Sequence, residues 1–188
     1  MKINFFKSFF IEDFISEYSH SNYINKFENK RFFHMDCSGF VYWSLIQMGY
    51  TRTLVELQNF LKKQGFIKIN RFFCKDFSLI YKYQKEFKYL NFIKEPKQGC
   101  ILVIVLSNGN GHCMFVDEII ENNKDSFCLR IIDSTRYPHK NDTRINQNTG
   151  IGVGDIEIFY KDGNWFYNSN NPTLAIRKAQ IYFISVIK

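Results

Sequence analysis

The chain carries at residues 100–120 the stretch CILVIVLSNGNGHCMFVDEII, in which two apolar runs flank a turn rich in glycine and asparagine. A short, continuous apolar run bounded by turn residues is typical of a buried strand, and Asn-Gly pairs favour a tight reversal of the chain. We therefore predict strands over 100–106 and 113–120. A third apolar run, 126–133, follows Asn-Asn-Lys-Asp and is expected to form a hairpin with the second.

Two further runs, 154–160 and 177–187, bring the predicted antiparallel sheet to about five strands. The polar stretch between the hairpin and the first of these runs, residues 137–153, is expected to be a long surface loop at the border of a site.

The sequence before Pro96 has the spacing of helices instead. Apolar residues recur every three or four positions, and Gly49 and Gly65 stand where two of the helices would end. An amphipathic helix is also expected within residues 1–18. N-terminal helices packed on an antiparallel sheet give the α+β class, in one domain spanning residues 1–188. The other predicted helices cover 36–48, 53–63 and 76–90.

Composition restricts the class of protein. With 45% hydrophobic and 23% charged residues, the chain has the composition of a soluble globular protein. Its formal net charge of +7 is spread without a dense Lys/Arg block, so nucleic-acid binding is not expected. Apolar runs are too short to span a bilayer, and charged residues interrupt the N-terminal one, so neither a transmembrane segment nor a standard signal peptide is expected. The protein is expected in the cytoplasm, or exported or translocated without such a signal.

The cysteines argue against a disulfide framework and a structural zinc site, because they number five and include no Cys-x-x-Cys pair. Three of them lie inside apolar runs, where cysteine is typical as a small buried hydrophobic residue. They are Cys100, Cys113 and Cys128.

Cys37 differs from these three, because it follows Asp36 and precedes Ser38 and Gly39 at the start of a predicted helix. A thiol there lies beside backbone N–H groups and the positive end of the helix dipole, which both favour the thiolate. Cys37 is therefore a candidate nucleophile. The alternative is a small core residue at position 37, with Asp36 serving only as a helix cap.

His112 and Asp133 are candidates to complete a catalytic group with Cys37. His112 opens the second predicted strand and Asp133 ends the third, so a hairpin of these strands would bring the two side chains together. The alternatives are an ordinary turn histidine and an aspartate that forms a local turn with Thr135. Rival bases are His20, His34 and His139.

These residues also carry a family pattern. Residues 36–49, DCSGFVYWSLIQMG, resemble the nucleophile helix of the NlpC-type cell-wall peptidases, and GHCMFVDEI resembles the histidine strand of that family. KQGCILVIV is similar to the family's preceding strand, and RIIDST falls where the family has its third polar residue, commonly His, Asn or Gln. The resemblance covers residues 33–135, although the Gly-Gly turn usual before the nucleophile is missing. It implies a papain-like fold and a Cys37–His112–Asp133 triad.

The resemblance implies that the protein hydrolyses amide bonds in peptidoglycan stem peptides through a thioester, without a metal or organic cofactor. Asp36 and Ser38 match positions that help the family to bind a free substrate amine, and Tyr137 is expected in the wall of the cleft. A second hypothesis is an effector or toxin that uses the same triad on a host or target protein, as a deamidase, protease or acyltransferase. A third is a non-catalytic domain whose basic surface binds an anionic partner.

Overall fold

The computed structural model describes residues 14–27, 30–66, 72–144, 149–171 and 173–187. Within these ranges, three strands come first, three helices follow, and seven further strands complete the chain. The elements are β1 (Phe14–Glu17), β2 (Tyr23–Phe27), β3 (Lys30–His34), α1 (Cys37–Gln47), α2 (Thr51–Lys63), α3 (Asp76–Lys82), β4 (Leu90–Ile93), β5 (Ile101–Leu106), β6 (Gly111–Asn123), β7 (Ser126–Thr135), β8 (Gly150–Lys161), β9 (Asn164–Asn168) and β10 (Arg177–Val186).

Six of the strands close into an antiparallel barrel in the order β10-β5-β6-β7-β8-β9, and β9 pairs back with β10. Closure depends on β10, which pairs with β5 through residues 179–184 and with β9 through residues 177–179. Strand β4 pairs with the other end of β10, residues 183–186. A barrel closed in this way leaves its six strands without a free edge along the paired residues.

The barrel interior is an apolar core, formed by the alternate side chains of the strands that point to the same side of the sheet. Complete burial of each such aliphatic or aromatic side chain contributes about 1.5–3 kcal/mol to folding. The interior residues are Cys100, Leu102, Ile104, Met114, Val116, Phe127, Leu129, Ile131, Ile156, Ile158 and Phe183.

The side chains of opposite parity on β5 and β6 face outward and meet the helices. Val103 and Phe115 lie in one cluster with Phe40, Val41 and Leu45 of α1. The Phe40 ring packs edge-on against Phe115, with 6.1 Å between ring centroids. The helix α1 is therefore fixed against the outer wall of the barrel.

A small three-stranded sheet leads the chain into α1. In it β3 pairs with β1 in parallel and with β2 antiparallel. The backbone of Met35, just after β3, is then held from two sides: its N–H donates to the Glu17 carbonyl, and its carbonyl accepts from the Ser134 hydroxyl at 2.6 Å. This contact with Ser134 of β7 sets the distance between the start of α1 and the end of β7.

The predicted fold class, helices packed on a sheet of about five strands as in a papain-like fold, is wrong. Strands make up 45% of the structure and close into a barrel, and the described residues contain only three short helices. Closure requires β9, a five-residue strand that follows the turn at Asp162 and Gly163. Both turn residues have positive φ, as the tightest hairpin turns require. A strand as short as β9 carries too little pattern to show from the sequence that it pairs with β10.

Local predictions agree better with the structure. The helices predicted over 36–48 and 53–63 and the five predicted strands are confirmed within a few residues of their ends. The helix predicted over 76–90 ends at Lys82, because a short 3-10 turn and β4 take up its last part. In the predicted N-terminal helix, residues 14–17 form a strand, and residues 1–13 lie outside the described residues. In the part of the chain that the structure describes, no helix is both long and apolar enough to cross a membrane.

Candidate active site

Cys37 is the first residue of α1, and it is buried, with 7% of its surface exposed. Asp36 caps the helix: its Oδ1 accepts hydrogen bonds from the Gly39 N–H at 2.7 Å and from the Ser38 hydroxyl at 3.0 Å. A capped start holds the first-turn N–H groups and the positive end of the helix dipole next to the thiol.

His112 and Asp133 lie next to Cys37 at one end of the barrel. Their side chains face the same side of the sheet as those of the interior residues Met114 and Ile131, but each residue lies near the end of its strand. Nε2 of His112 forms a short hydrogen bond with Oδ2 of Asp133, and the same imidazole lies close enough to the Cys37 thiol for the two groups to shift each other's pKa. Because Nε2 is engaged by Asp133, Nδ1 is the nitrogen that remains for the thiol. The structure thus brings the three residues proposed from the sequence together at the start of α1.

The electrostatics of the Cys37–His112–Asp133 group favour a thiolate–imidazolium pair. Hydrogen bonds with the Cys113 and Cys74 thiols and the charge of His112 outweigh burial, so the pKa of Cys37 is held well below its usual range. Burial alone would lower the pKa of His112, but the Cys37 thiolate and the hydrogen bond with Asp133 raise it to about 10. Both groups are therefore expected to be charged over the neutral pH range.

Asp133 is completely buried, and three groups hold it. Besides His112, the guanidinium of Arg144 donates to Oδ1 at 2.8 Å, and Nε2 of His139 lies 2.9 Å from Oδ2. Burial alone would raise the pKa of Asp133, but Arg144, His139 and His112 together hold it well below its usual range. The carboxylate therefore stays charged and can orient His112.

Arg144 and His139 are themselves fixed by the loop between β7 and β8. Asp142 accepts from Nε of Arg144 at 2.7 Å and from the His139 backbone N–H at 2.7 Å. Nδ1 of His139 donates to the Ser169 carbonyl at 3.0 Å. The predicted surface loop over 137–153 is thus partly buried: His139 and Arg144 point into the site, and β8 takes over from Gly150.

Two glycines of β8 make room for these buried side chains. A Cβ at Gly152 would stand 2.6 Å from Cγ and Nε of Arg144, and a Cβ at Gly154 would stand 2.6 Å from Cβ of His139. Because β-strand side chains alternate, both positions face the same side of the sheet. The alternating glycines are therefore a steric requirement of the Asp133 network.

The segment between β1 and β2 contributes further polar side chains near Asp36 and Cys37. Nδ1 of His20 lies 3.2 Å from Oδ2 of Asp36, and the side-chain amide of Asn22 lies 3.4 Å from the same oxygen. Burial and the negative charges of Cys37 and Asp36 raise the pKa of Tyr18. The Tyr18 phenol therefore keeps its proton and can donate a hydrogen bond beside the thiol.

The remaining residues named from the sequence have different surroundings. His34 stacks on Tyr23 and pairs with Glu17 at 3.3 Å. Tyr137, proposed to line the cleft, is 47% exposed just beyond β7. Asp36 and Ser38 are buried and hydrogen-bonded to each other, so their proposed contact with a substrate amine stays a prediction.

Two clusters have a spacing at which metal ligands are found. The donor atoms of Cys37, Cys74 and Cys113 lie within 4.8 Å of one another, and so do those of His112, Asp133 and His139. In the second cluster, Asp133 hydrogen-bonds both histidines. The sequence does not predict that Cys74 and Cys113 lie beside Cys37. The three cysteines are distant along the chain, and the apolar neighbours of Cys113 indicate only that it is buried.

A surface groove of about 980 Å³ lies elsewhere, between α3 and strands β4, β5, β9 and β10. Tyr81, Phe92, Trp165 and Tyr182 are among its lining residues, and none of Cys37, His112 and Asp133 is. The candidate catalytic residues and this groove therefore lie at different places in the molecule.

Comparison of the chain with models of protein families, with curated proteins and with solved structures gave no match.

Proposed function

We propose that the protein is a cysteine hydrolase that cleaves amide bonds, with Cys37 as nucleophile, His112 as base and Asp133 as the residue that orients the histidine. The observation that carries the proposal is that the buried Asp133 hydrogen-bonds His112, and that this histidine lies beside a thiol at a helix N-terminus. Such an arrangement supplies an activated nucleophile, a proton acceptor and a fixed imidazole, which acyl transfer requires.

In the proposed reaction the Cys37 thiolate attacks the amide carbonyl, and a tetrahedral oxyanion forms. The Cys37 backbone N–H, in the first turn of α1, is positioned to donate to that oxyanion, and loss of one such donor typically costs about 3 kcal/mol of barrier. His112 then gives its proton to the leaving amine, and a thioester remains on Cys37. Water attacks the thioester with His112 as base, which releases the acid and restores the thiolate–imidazolium pair.

The first substrate class to test is the peptidoglycan stem peptide, which the resemblance of residues 36–49 to NlpC-type peptidases favours. In that case Asp36 is expected to help bind a free substrate amine. Asp36→Asn keeps an acceptor for the helix cap but removes the charge. A higher KM with unchanged kcat, seen for a stem peptide with a free amine and not for its acetylated form, would support this role.

The nucleophile is tested by the pH dependence of Cys37 alkylation with iodoacetamide, followed peptide by peptide with mass spectrometry. We expect rapid labelling of Cys37 well below the ordinary thiol pKa of about 8.5. His112→Ala should slow it and shift its midpoint to higher pH. Cys128→Ser, which removes a thiol outside the cluster, is the matched control and should change neither. A wild-type Cys37 that titrates like a free thiol would contradict the proposal and favour a non-catalytic binding domain.

The reaction class is tested by the products. Soluble muropeptides are incubated with wild type and Cys37→Ser, and the fragments are analysed by mass spectrometry. New amine and carboxyl termini in the wild-type sample alone indicate hydrolysis of a peptide bond. Release of ammonia from a protein glutamine, or transfer of an acyl group to an added amine, would instead favour the deamidase or acyltransferase that the same triad could support.

A further inference from the structure

Cys37 lies against two other buried thiols, an arrangement that the proposed hydrolysis does not use. The Sγ atoms of Cys37, Cys74 and Cys113 are within 4.8 Å of one another, and all three cysteines are free. A disulfide requires about 2.05 Å between sulfurs, so one partner must move by a few ångströms before a bond can form. A nucleophilic thiolate next to a second thiol is the arrangement in which oxidation by peroxide leads to a disulfide.

We propose that Cys37 is a site of reversible oxidation by peroxide and that Cys74 is its resolving cysteine. Peroxide would convert Cys37 to a sulfenic acid, and Cys74 would condense with it to a Cys37–Cys74 disulfide. The inference needs the Cys37 thiolate but not amide hydrolysis, so either proposal can fail without the other.

The position of Cys74 in the fold distinguishes it from Cys113. Cys74 lies in the turn before α3, outside any strand or helix, so a shift of its backbone disturbs no strand pairing and strains chiefly the hydrogen bond from the Phe77 N–H to the Cys74 carbonyl, 3.1 Å. Cys113 is fully buried inside β6 and is held in register with Val103 of β5. The movement that a disulfide requires is therefore available to Cys74 and resisted at Cys113.

A second contact fixes Cys74 against the start of β6. A Cβ at Gly111 would stand 2.7 Å from Cβ of Cys74, so Cys74 packs directly on the backbone that leads into His112. The absence of a side chain at Gly111 thus leaves room for Cys74 beside Cys37 and Cys113. The Cys74 thiol keeps its proton. The interaction with Cys113 lowers the pKa of Cys74, but the interaction with Cys37, burial and the negative charge of Cys37 together raise it by more.

The chemistry balances with peroxide as the only co-reactant. The Cys37 thiolate attacks one peroxide oxygen, so that an S–O bond forms, the O–O bond breaks and hydroxide leaves with the proton of His112 as water. Neutral His112 then takes the Cys74 proton, and the Cys74 thiolate attacks the Cys37 sulfur. The S–S bond forms, the S–O bond breaks, and the leaving hydroxide takes the proton back from His112 as a second water. Two thiols are oxidised by two electrons in total, and one peroxide is reduced.

The experiment maps the linkage in the wild-type protein, so it does not depend on a variant that folds. Reduced protein, freed of metal with a chelator, is treated with a small excess of hydrogen peroxide, and free thiols are blocked with N-ethylmaleimide. Trypsin leaves the three cysteines on separate peptides, 32–52, 72–75 and 98–124. We expect a disulfide between peptides 32–52 and 72–75 that disappears on reduction, together with loss and recovery of Cys37 alkylation.

Variants then assign the roles. In Cys74→Ser we expect dimedone to trap a sulfenic acid on Cys37, which otherwise proceeds to the irreversible sulfinic acid. Cys128→Ser is the matched control and should form the linkage as the wild type does. A linkage of Cys37 to Cys113, or oxidation of wild-type Cys37 to the sulfinic acid while Cys74 remains open to alkylation, would overturn the proposal.

Discussion

Asp133 is a carboxylate that is removed from water and surrounded by cations and proton donors. Of its oxygens, Oδ1 accepts from Arg144, and Oδ2 meets the imidazoles of His112 and His139. Burial of a charge is costly unless it is paired and hydrogen-bonded, and each of these contacts meets that need. The same contacts fix the direction in which His112 can present its second nitrogen to Cys37.

Replacing Asp133 by Asn removes the charge while nearly keeping the shape of the side chain. The pKa of His112 should then fall from about 10 toward its usual value near 6.5, because one of the interactions that raise it is lost. The titration is measured by NMR of the His112 ring protons. Asp125→Asn, which removes a charge at the turn between β6 and β7, is the control and should leave the titration unchanged. A His112 that keeps its high pKa in Asp133→Asn would show that the carboxylate has no electrostatic role.

Arg144 and Arg130 form a matched pair of arginine–aspartate contacts that differ in burial. The Arg144 side chain is 2% exposed, whereas the Arg130 side chain is 38% exposed where it pairs with Asp155. Arg144→Ala leaves the buried Asp133 without its guanidinium partner and should lower the free energy of unfolding by about 3–5 kcal/mol. Arg130→Ala should lower it by only about 1 kcal/mol, because the Arg130 guanidinium is partly exposed and Asn141 still donates to Asp155.

The free energies of unfolding of both variants are to be measured by urea unfolding at neutral pH under reducing conditions. If Arg144→Ala cost no more than Arg130→Ala, Asp133 would be stabilised chiefly by the two histidines. Arg144→Lys is a useful third variant, because it keeps the charge but not the two-sided hydrogen bonding to Asp133 and Asp142.

At the scale of the element, strand β8 supports the site through the side chains that it lacks. Gly152→Ala places a methyl group within 2.8 Å of three atoms of the Arg144 side chain, none of which can move without loosening the contact with Asp133. Overpacking of this kind typically costs about 1–3 kcal/mol. We expect that loss of stability together with slower Cys37 alkylation, because His112 loses part of its support.

The control for Gly152→Ala is Ile156→Val, on the same strand but inside the barrel. Ile156 is fully buried in the interior cluster, and removing one methyl group there costs about 0.5–1.5 kcal/mol. Comparable destabilisation without slower alkylation is expected. If both variants slow alkylation equally, the reactivity of Cys37 would follow overall stability and not the position of Arg144.

The same strand shows why some elements could be predicted and others could not. Helix α1 has local signals for its start and its end, so Cys37 could be placed at a helix N-terminus from the sequence alone. His139 and Arg144 are polar residues in a polar segment, and such residues are exposed in most proteins. Their burial depends on Gly152 and Gly154, which lie on a strand that pairs with β7. The alternating glycines are the one local signal that could have indicated a close approach.

At the scale of the whole molecule, closure of the barrel separates two functions of the strands. The interior residues provide an apolar core, while the strand ends at one side present His112 and Asp133 to the start of α1. The hydrogen bond from Ser134 to the Met35 carbonyl connects that strand end with the segment before Cys37. Pairings between distant residues decide both arrangements, so patterns within a short window of sequence could predict the strands but not their closure.

Stability of the whole molecule should depend on pH through the Cys37–His112 pair. A group whose pKa is raised on folding, as for His112, contributes stability below its unfolded pKa of about 6.5 and loses it as the pH rises through about 10. A group whose pKa is lowered, as for Cys37, contributes stability above its unfolded pKa of about 8.5 and loses it as the pH falls. Between about pH 6.5 and 8.5 the two slopes cancel, because folded and unfolded chains bind the same number of protons at this pair.

The measurement is urea unfolding from about pH 5 to about pH 10 with reductant, for wild type and Cys37→Ser. The Cys37 thiolate is the largest of the influences that raise the pKa of His112, so the serine variant should return that pKa toward its ordinary value. Titrations elsewhere cancel in the difference between the two curves. The difference in the free energy of unfolding should rise with pH up to about 6.5, where the unfolded wild-type chain binds one proton more than the folded chain. It should stay level to about 8.5, where both bind the same number. Above about 8.5 it should fall, because the unfolded chain then binds one proton fewer. A difference that only rises across this range would mean that the thiolate forms without a charged His112, and the ion pair would have to be abandoned.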